Sequence, residues 1–365
     1  MQKIDWYILK KFLFTFVFCL LLFTVIAVAV DSSEKTDDFV KTNLSTTQII
    51  KQYYFGFVPF IWSLLFPLFV FIAVIFFTSR LATRSEIIAI LASGNSYNRF
   101  LRPYIVGGIL LASLLWVGSR YWIPKANSIR SNFQSNYLDK NDPNKNRNFG
   151  SCARCFYLRI DPNTYIGIRD YDTSTKSAQG FFLDRTSDNK LVYNLRAQTI
   201  RWDTARKKWQ LLNAAERTLN TMGEVLKLHD TLIINLQLKH DELRKDEYLK
   251  DKLTTPELAV FIKREELRGS EGLSALKVEL YRRTATPAAV LLLTMIGVVI
   301  VSRKSRGGSG MHLALGIVIA AMFIISDRFS TVFATKGSFP PMLAAWLPNI
   351  VFAVVAYLLY RRTPK

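Results

Sequence analysis

Few residues in this chain have types and spacings that could do chemistry. Cys152-Ala153-Arg154-Cys155 is the one compact motif. Two cysteines at that spacing can form a local disulfide or a redox pair, and they can equally be incidental thiols. A zinc site would need two further ligands, and His229, His240 and His312 stand apart with no ligand spacing among them. Cys19 lies in an apolar run and reads as a small apolar residue. No G-x-x-x-x-G-K-S/T run cradles a nucleotide's phosphates, and Gly307, Gly308 and Gly310 lack both the lysine and the preceding strand. The expectation is a chain with no catalytic residues, no metal site and no cofactor of its own.

A second group could transmit force rather than react. Thr83-Arg84-Ser85-Glu86 has the capping-box form, with Thr83 capping a helix and Glu86 reaching back to a free backbone N–H. Ile87, Ile90 and Leu91 follow, and Ser93-Gly94 ends the run with a glycine suited to the left-handed C-terminal position. A helix so short is marginal alone in water. Its apolar face needs a dock, which could be a separate protein or the bilayer surface.

The elements that must position these residues are membrane spans. A bilayer core takes about 20 apolar residues per helix. Phe12–Val30, Phe57–Thr78 and Pro103–Ile123 meet that need before the polar middle of the chain; Pro287–Val301, His312–Ser326 and Leu343–Tyr360 follow it. Half of the 365 residues are hydrophobic, 26 of them Phe, yet the formal charge is +20. Such a basic balance raises nucleic acid as a partner, but a chain with six spans meets lipid headgroups first. No Asp, Glu, Lys or Arg lies in the middle of any apolar run. Intramembrane charge marks ion pathways, so the energy for any transport should arrive from elsewhere.

Lys and Arg in the short loops set the orientation. Lys3, Lys10 and Lys11, then Arg80, Arg84, Arg99 and Arg102, then Arg303, Lys304 and Arg306, then Arg361, Arg362 and Lys365 fall on one side. Asp31–Gly56 and Asp327–Met342 are poorer in cations. Both termini are therefore expected in the cytoplasm and the long insert on the far side. Residues 1–123 should carry three spans with a cytoplasmic helix at about 83–94, residues 124–250 a β domain, residues 251–283 a helical connector, and residues 284–365 three more spans. Within the insert, Phe156–Ile160, Tyr165–Asp170, Phe181–Asp184, Leu191–Leu195, Thr199–Trp202, Trp209–Leu212, Val225–Leu228 and Leu232–Leu238 read as short strands of a sandwich, jellyroll or partly open barrel. Thr254-Thr255-Pro256-Glu257 reads as a helix start.

Four segments in order carry a family resemblance. Ile4-Asp5-Trp6-Tyr7-Ile8-Leu9-Lys10-Lys11-Phe12, Arg84-Ser85-Glu86-Ile87 through Ala92-Ser93-Gly94, Glu279-Leu280-Tyr281-Arg282-Arg283 with Pro287, and Phe339-Pro340-Pro341-Met342-Leu343 through Trp346-Leu347-Pro348-Asn349 resemble the LptF/LptG permeases nearly end to end. The opening segment and Val30-Asp31-Ser32-Ser33-Glu34-Lys35 lean towards LptG. The Cys152/Cys155 pair is not part of that pattern.

The resemblance implies a polytopic α-helical protein of the bacterial inner membrane with a periplasmic, jellyroll-like β domain. It implies a sibling permease, a dimer of cytoplasmic ATPase subunits that use the ATP, a periplasmic jellyroll bridge protein, and lipopolysaccharide as cargo. Arg84, Ser85, Glu86, Ile87, Ile90, Leu91 and Gly94 would couple to the ATPase. Lys35, Lys41, Arg120, Lys125, Arg282 and Arg283 are candidates for the anionic headgroup, against the plainer reading of snorkelling to bulk lipid. Two rival readings are a membrane-anchored sensor or scaffold with an outer β domain and a carrier of another lipid.

Overall fold

The computed structural model describes residues 3–138, 156–172, 175–187, 190–220, 223–236, 238, 248–269, 272–302 and 308–362, the side chains of 220, 308–310, 312 and 313 excepted. Cys152, Cys155 and His240 lie outside the described residues, as does the His312 side chain. The chain forms two compact units. One comprises Met1–Asn141, Lys250–Leu258 and Ser274–Lys365; the other comprises Asp142–Leu249 and Ala259–Leu273.

The first unit is helical. Among the described residues, six helices are long and apolar enough to cross a membrane: Lys3–Glu34, Thr46–Thr83, Tyr97–Leu138, Leu273–Val301, Ala314–Lys336 and Pro341–Arg361. The chain is a multi-pass membrane protein. We number the helices α1 (Lys3–Glu34), α2 (Thr36–Lys41), α3 (Thr46–Ile49), α4 (Phe55–Thr83), α5 (Glu86–Ala92), α6 (Tyr97–Phe133), α7 (Leu249–Lys252), α8 (Thr255–Arg268), α9 (Leu273–Val301), α10 (Gly308–Lys336) and α11 (Pro341–Arg361). A π-helical stretch, Ile50–Tyr54, joins α3 to α4. Helices suit the bilayer because every backbone polar group finds its partner within the segment.

Packing in this unit follows side-chain size. Phe12 and Phe16 of α1, Phe66 and Phe69 of α4, and Phe100 and Tyr104 of α6 share one buried cluster. Lipid tails give little reason for helices to associate, so close backbone approach matters. Gly56 supplies it: a Cβ there would lie 2.4 Å from the Ala126 carbonyl oxygen. Any larger residue would push α4 away from α6. Helix α9 is the most enclosed span and α1 the least.

The helices overrun the apolar stretches that located them. Pro103–Ile123 is the middle of α6, and His312–Ser326 the middle of α10. Asp327 and Arg328, expected in a loop, are helical, and Glu279, Arg282 and Arg283 lie within α9. The charged residues at the insert end therefore sit on rigid elements.

The second unit holds an antiparallel sheet with strands in chain order: β1 (Phe156–Asp161), β2 (Thr164–Ile168), β3 (Ser177–Ser187), β4 (Lys190–Asp203), β5 (Lys208–Asn220) and β6 (Gly223–Ile234). The eight expected short strands are six longer ones. Leu191–Leu195 and Thr199–Trp202 are both β4; Val225–Leu228 and the start of Leu232–Leu238 are both β6. The reason is a crease across the sheet. Ala178 and Phe181, Ala197 and Ile200, and Leu211 and Ala214 all face the same core, although strict alternation would send the members of each pair to opposite faces. Between them lie Gly180 (φ +80°), Gln198 and Asn213 (φ +51°), and on β6 the same row meets Asp230. Pairing resumes in the same register beyond the row. A break in hydrophobic alternation thus marks a bend within each strand, not a turn between strands. Leu232, Ile234, Leu236 and Leu238 pack on the one core, as their alternation predicts.

Candidate functional site

The short helix α5 is built differently from its sequence signature. Thr83 belongs to α4 and its hydroxyl donates to the Ser79 carbonyl at 2.9 Å, so it caps nothing. Ser85 holds the N-cap position with a left-handed backbone, φ +57°. Glu86 lies 3.9 Å from Arg84 instead of closing a capping box. The C-terminal end is as expected: Gly94 has φ +86°, and the Ser93 hydroxyl donates to the Ile90 carbonyl at 2.7 Å. The dock for the apolar face is the chain itself. Ile87 is buried and Ile90 and Leu91 pack beside it, in the cluster with Leu81, Tyr97 and Phe100. Arg84, Ser85, Ile88, Ala89, Ala92, Ser93 and Gly94 remain outward.

At the opposite, insert end of the spans, the candidate cations are mostly engaged. Lys35 donates to Asp31 at 2.6 Å and to the Tyr53 hydroxyl, and Tyr53 donates to the same carboxylate at 3.1 Å. The ammonium also lies 4.8 Å from the centre of the Tyr53 ring, a cation–π contact. Lys41 makes an exposed pair with Asp38 at 3.5 Å. Arg120 lies beside Trp116 and Tyr121, and its buried Nε has no hydrogen-bond partner among the described residues. Lys125 acts electrostatically on Glu257, whose carboxyl is held below its usual range first by the Thr254 hydroxyl and backbone N–H.

The Arg282/Arg283 pair divides its labour. Arg282 bridges from α9 to Asp327 of α10 at 2.5 Å. Arg283 is buried and uses four of its five N–H donors: to Glu279 (3.2 Å), to the Leu253 carbonyl (2.9 Å), to the Thr255 hydroxyl (3.3 Å) and to the Lys250 carbonyl (2.9 Å). It ties α7 and the α8 start to α9. Its burial and its four bonds within the protein set Arg283 apart from the other candidates.

Two adjoining hollows lie here. A polar cavity of about 280 Å³ takes in Arg282, Arg283, Arg328, Lys250, Asp251 and Glu279. An apolar groove of about 60 Å³ runs between α4, α9, α10 and α11, with Leu68, Ala289 and Phe323 on its walls. Lys35, Lys41, Arg120 and Lys125 line neither. Burial pushes the Asp251 carboxyl above its usual range. Sequence reasoning missed Asp31, Tyr53, Asp251, Arg328 and Asn349. A signal existed for one of them, since an Asn in an otherwise apolar span needs a partner: Asn349 donates to the Ala285 carbonyl at 2.7 Å.

On the sheet, Glu216 joins two strands to its own. Tyr193 of β4 donates to it at 3.1 Å and His229 of β6 lies 3.0 Å away. That contact with His229 is the main reason its carboxyl is held below the usual range. The Tyr193 hydroxyl is pushed up to about 12, chiefly by burial.

A comparison with curated proteins found no match. Residues 6–362 match the family model described as the lipopolysaccharide export system permease LptF/LptG, a model that spans both siblings. Members of that family are transporter components, and the match takes in the six spans, α5 and the creased sheet together. This chain belongs to the LptF/LptG family of lipopolysaccharide export permeases.

Proposed function

We propose that this chain is the LptG-like one of two sibling permeases in an ABC transporter of the bacterial inner membrane. It takes lipopolysaccharide from the far-side leaflet and passes it through its β domain, driven by a dimer of separate cytoplasmic ATPase subunits. The observation that carries this reading is α5. Its inner face is seated on its own spans and its outer face is left for a partner. A helix held that way can take a push from outside and pass it to α4 and α6. The chain itself supplies no phosphate-binding loop, so ATP is used by the partner.

Orientation follows the Lys/Arg asymmetry of the short loops: both termini, α5 and the 302–311 loop are cytoplasmic, and the β domain is periplasmic. Headgroup binding falls to Lys35, Lys41, Arg120, Lys125 and Arg282, the candidate cations that are not buried. Arg283 and the inward residues Ile87, Ile90 and Leu91 hold structure instead. The outer strand β6, with Leu226 and Leu228 well exposed, offers an edge to the jellyroll bridge protein.

Purification in mild detergent with identification of retained proteins tests the reading. A nucleotide-binding subunit and a sibling permease should come with this chain. Recovery of the chain alone, from cells in which it supports export, would count against it.

A further inference from the structure

The two adjoining hollows have complementary characters and a common border. Arg282, Arg328, Leu64 and Thr286 line both. The polar one opens at the insert end of the spans; the apolar one continues from it between helices. A polar pocket above an apolar groove is the shape of a lipid, with headgroup and tail in the matching order.

Charge narrows the headgroup. Arg283 is matched by Glu279, and Arg282 by Asp327. Of the remaining charges in the cavity, Lys250 acts on Asp251, and Arg328 has no hydrogen-bond or ion-pair partner among the described residues. One positive charge is therefore left over, on an exposed guanidinium that can hold a phosphodiester with parallel hydrogen bonds. Asn127 on the cavity wall is already engaged, donating through Nδ2 to the Asp251 carbonyl.

The groove narrows the tail. An apolar cavity of about 150 Å³ holds one benzene. About 60 Å³ admits part of one acyl chain and not the sheaf of chains that lipopolysaccharide carries. Its walls belong to one subunit, and α9, the most enclosed span, forms its floor.

We infer that this cleft between α4, α9, α10 and α11 binds a bilayer glycerophospholipid that carries one net negative charge, of the phosphatidylglycerol type. Its phosphate lies on Arg328 beside the Arg282–Asp327 bridge, and part of one acyl chain lies in the groove along Ala289. The lipid is a resident of the subunit and not the cargo, and Arg282, at the border of both hollows, is the one headgroup candidate the two would share.

The test uses the full chain, purified with its retained subunits, stripped of lipid by detergent exchange, and examined by native mass spectrometry. Equal amounts of phosphatidylglycerol, phosphatidylethanolamine, phosphatidylcholine and lipopolysaccharide are offered. One phosphatidylglycerol per chain should be retained, roughly ten-fold over phosphatidylcholine, which has no net charge. Arg328→Gln, on an exposed side chain, and Ala289→Leu, which fills the groove, should each lower that retention by roughly ten-fold, whereas Lys35→Gln should leave it unchanged. Equal retention of all four lipids would overturn the inference. So would wild-type retention in both the Arg328→Gln and Ala289→Leu chains, or displacement of phosphatidylglycerol by lipopolysaccharide at equal concentration. Failure of the export reading would appear elsewhere, as absence of an ATPase subunit beside intact phosphatidylglycerol retention.

Discussion

Arg283 Nη2 donates to the Lys250 carbonyl at 2.9 Å, joining residues far apart in sequence at the point where the chain re-enters the spans. Because Nη1 reaches the Leu253 carbonyl as well, the guanidinium fastens both sides of the turn between α7 and α8. A charge so placed is a fastening before it is anything else.

Arg283→Gln is accordingly expected to destabilise. Its loss takes the side-chain donor from the Lys250 and Leu253 carbonyls, at about 1–3 kcal/mol for an acceptor left unmet, and leaves Glu279 at 3.2 Å without its cation. Thermal unfolding in detergent should show a lower midpoint and the membranes a smaller yield. Arg282→Gln should lower the midpoint less, since both partners of its pair are partly exposed. Equal loss from the two substitutions would mean that the fork is not the fastening.

The two faces of α5 should separate experimentally. Ile87→Ala removes a buried side chain and should cost about 2–5 kcal/mol, lowering abundance. Ile88→Asp changes an exposed residue and should leave abundance intact while reducing ATPase copurification. Gly94→Val forces a β-branched residue to φ +86°, a strain of about 1–3 kcal/mol, although a Cβ there would meet nothing. Immunoblots of membranes and of affinity eluates read both quantities.

Asp31 competes with a phosphate for Lys35, two of whose three N–H donors are engaged. Asp31→Asn removes the competing charge and should raise lipopolysaccharide crosslinking from a photoreactive residue at position 282, while Lys35→Gln lowers it. Leu343, half-exposed at the start of α11, serves as the bulk-lipid control. Unchanged crosslinking in both variants would remove Lys35 from the headgroup site.

Acid should loosen the sheet through Glu216. Its carboxyl is depressed in the folded chain, above all by the hydrogen bond with His229, against about 4.3 when unfolded. A depressed carboxyl contributes stability that is present above the unfolded value and lost as pH falls through the folded one. Amide exchange in β4, β5 and β6 should therefore accelerate below about pH 4.3. Glu216→Gln should be less protected at neutral pH and show a weaker dependence in that acid range.

The spans were legible because length and apolarity suffice for them, and Phe12–Val30 or Leu343–Tyr360 needs no partner to be recognised. Their ends were not, since polar turns of α9 and α10 are stabilised by neighbouring helices and not by composition. Asp327 looks like loop in sequence and is helix because Arg282 meets it. Thr83-x-x-Glu86 matched a capping box and formed none; α4 runs on through Thr83 and takes its hydroxyl. The β strands were found but divided at Gln198 and between Leu228 and Leu232, because a face reversal within a strand looks the same in sequence as a gap between two. The cations were legible as charges. Which of them is sealed in, as Arg283 is, depends on carbonyls thirty residues away.

The crease at Gly180, Gln198, Asn213 and Asp230 gives the sheet a mechanical anisotropy. Each ladder keeps its register across that row and is interrupted along it. A load applied across the strands is shared by all the hydrogen bonds of one panel, whereas a bending moment concentrates on a line where two of the four positions already adopt left-handed backbone. The sheet is stiff as two plates and compliant as a folio. The core residues on both plates, Phe181 and Ala197 on one and Ile200 and Leu211 on the other, change their separation when that line flexes, with no strand unpaired.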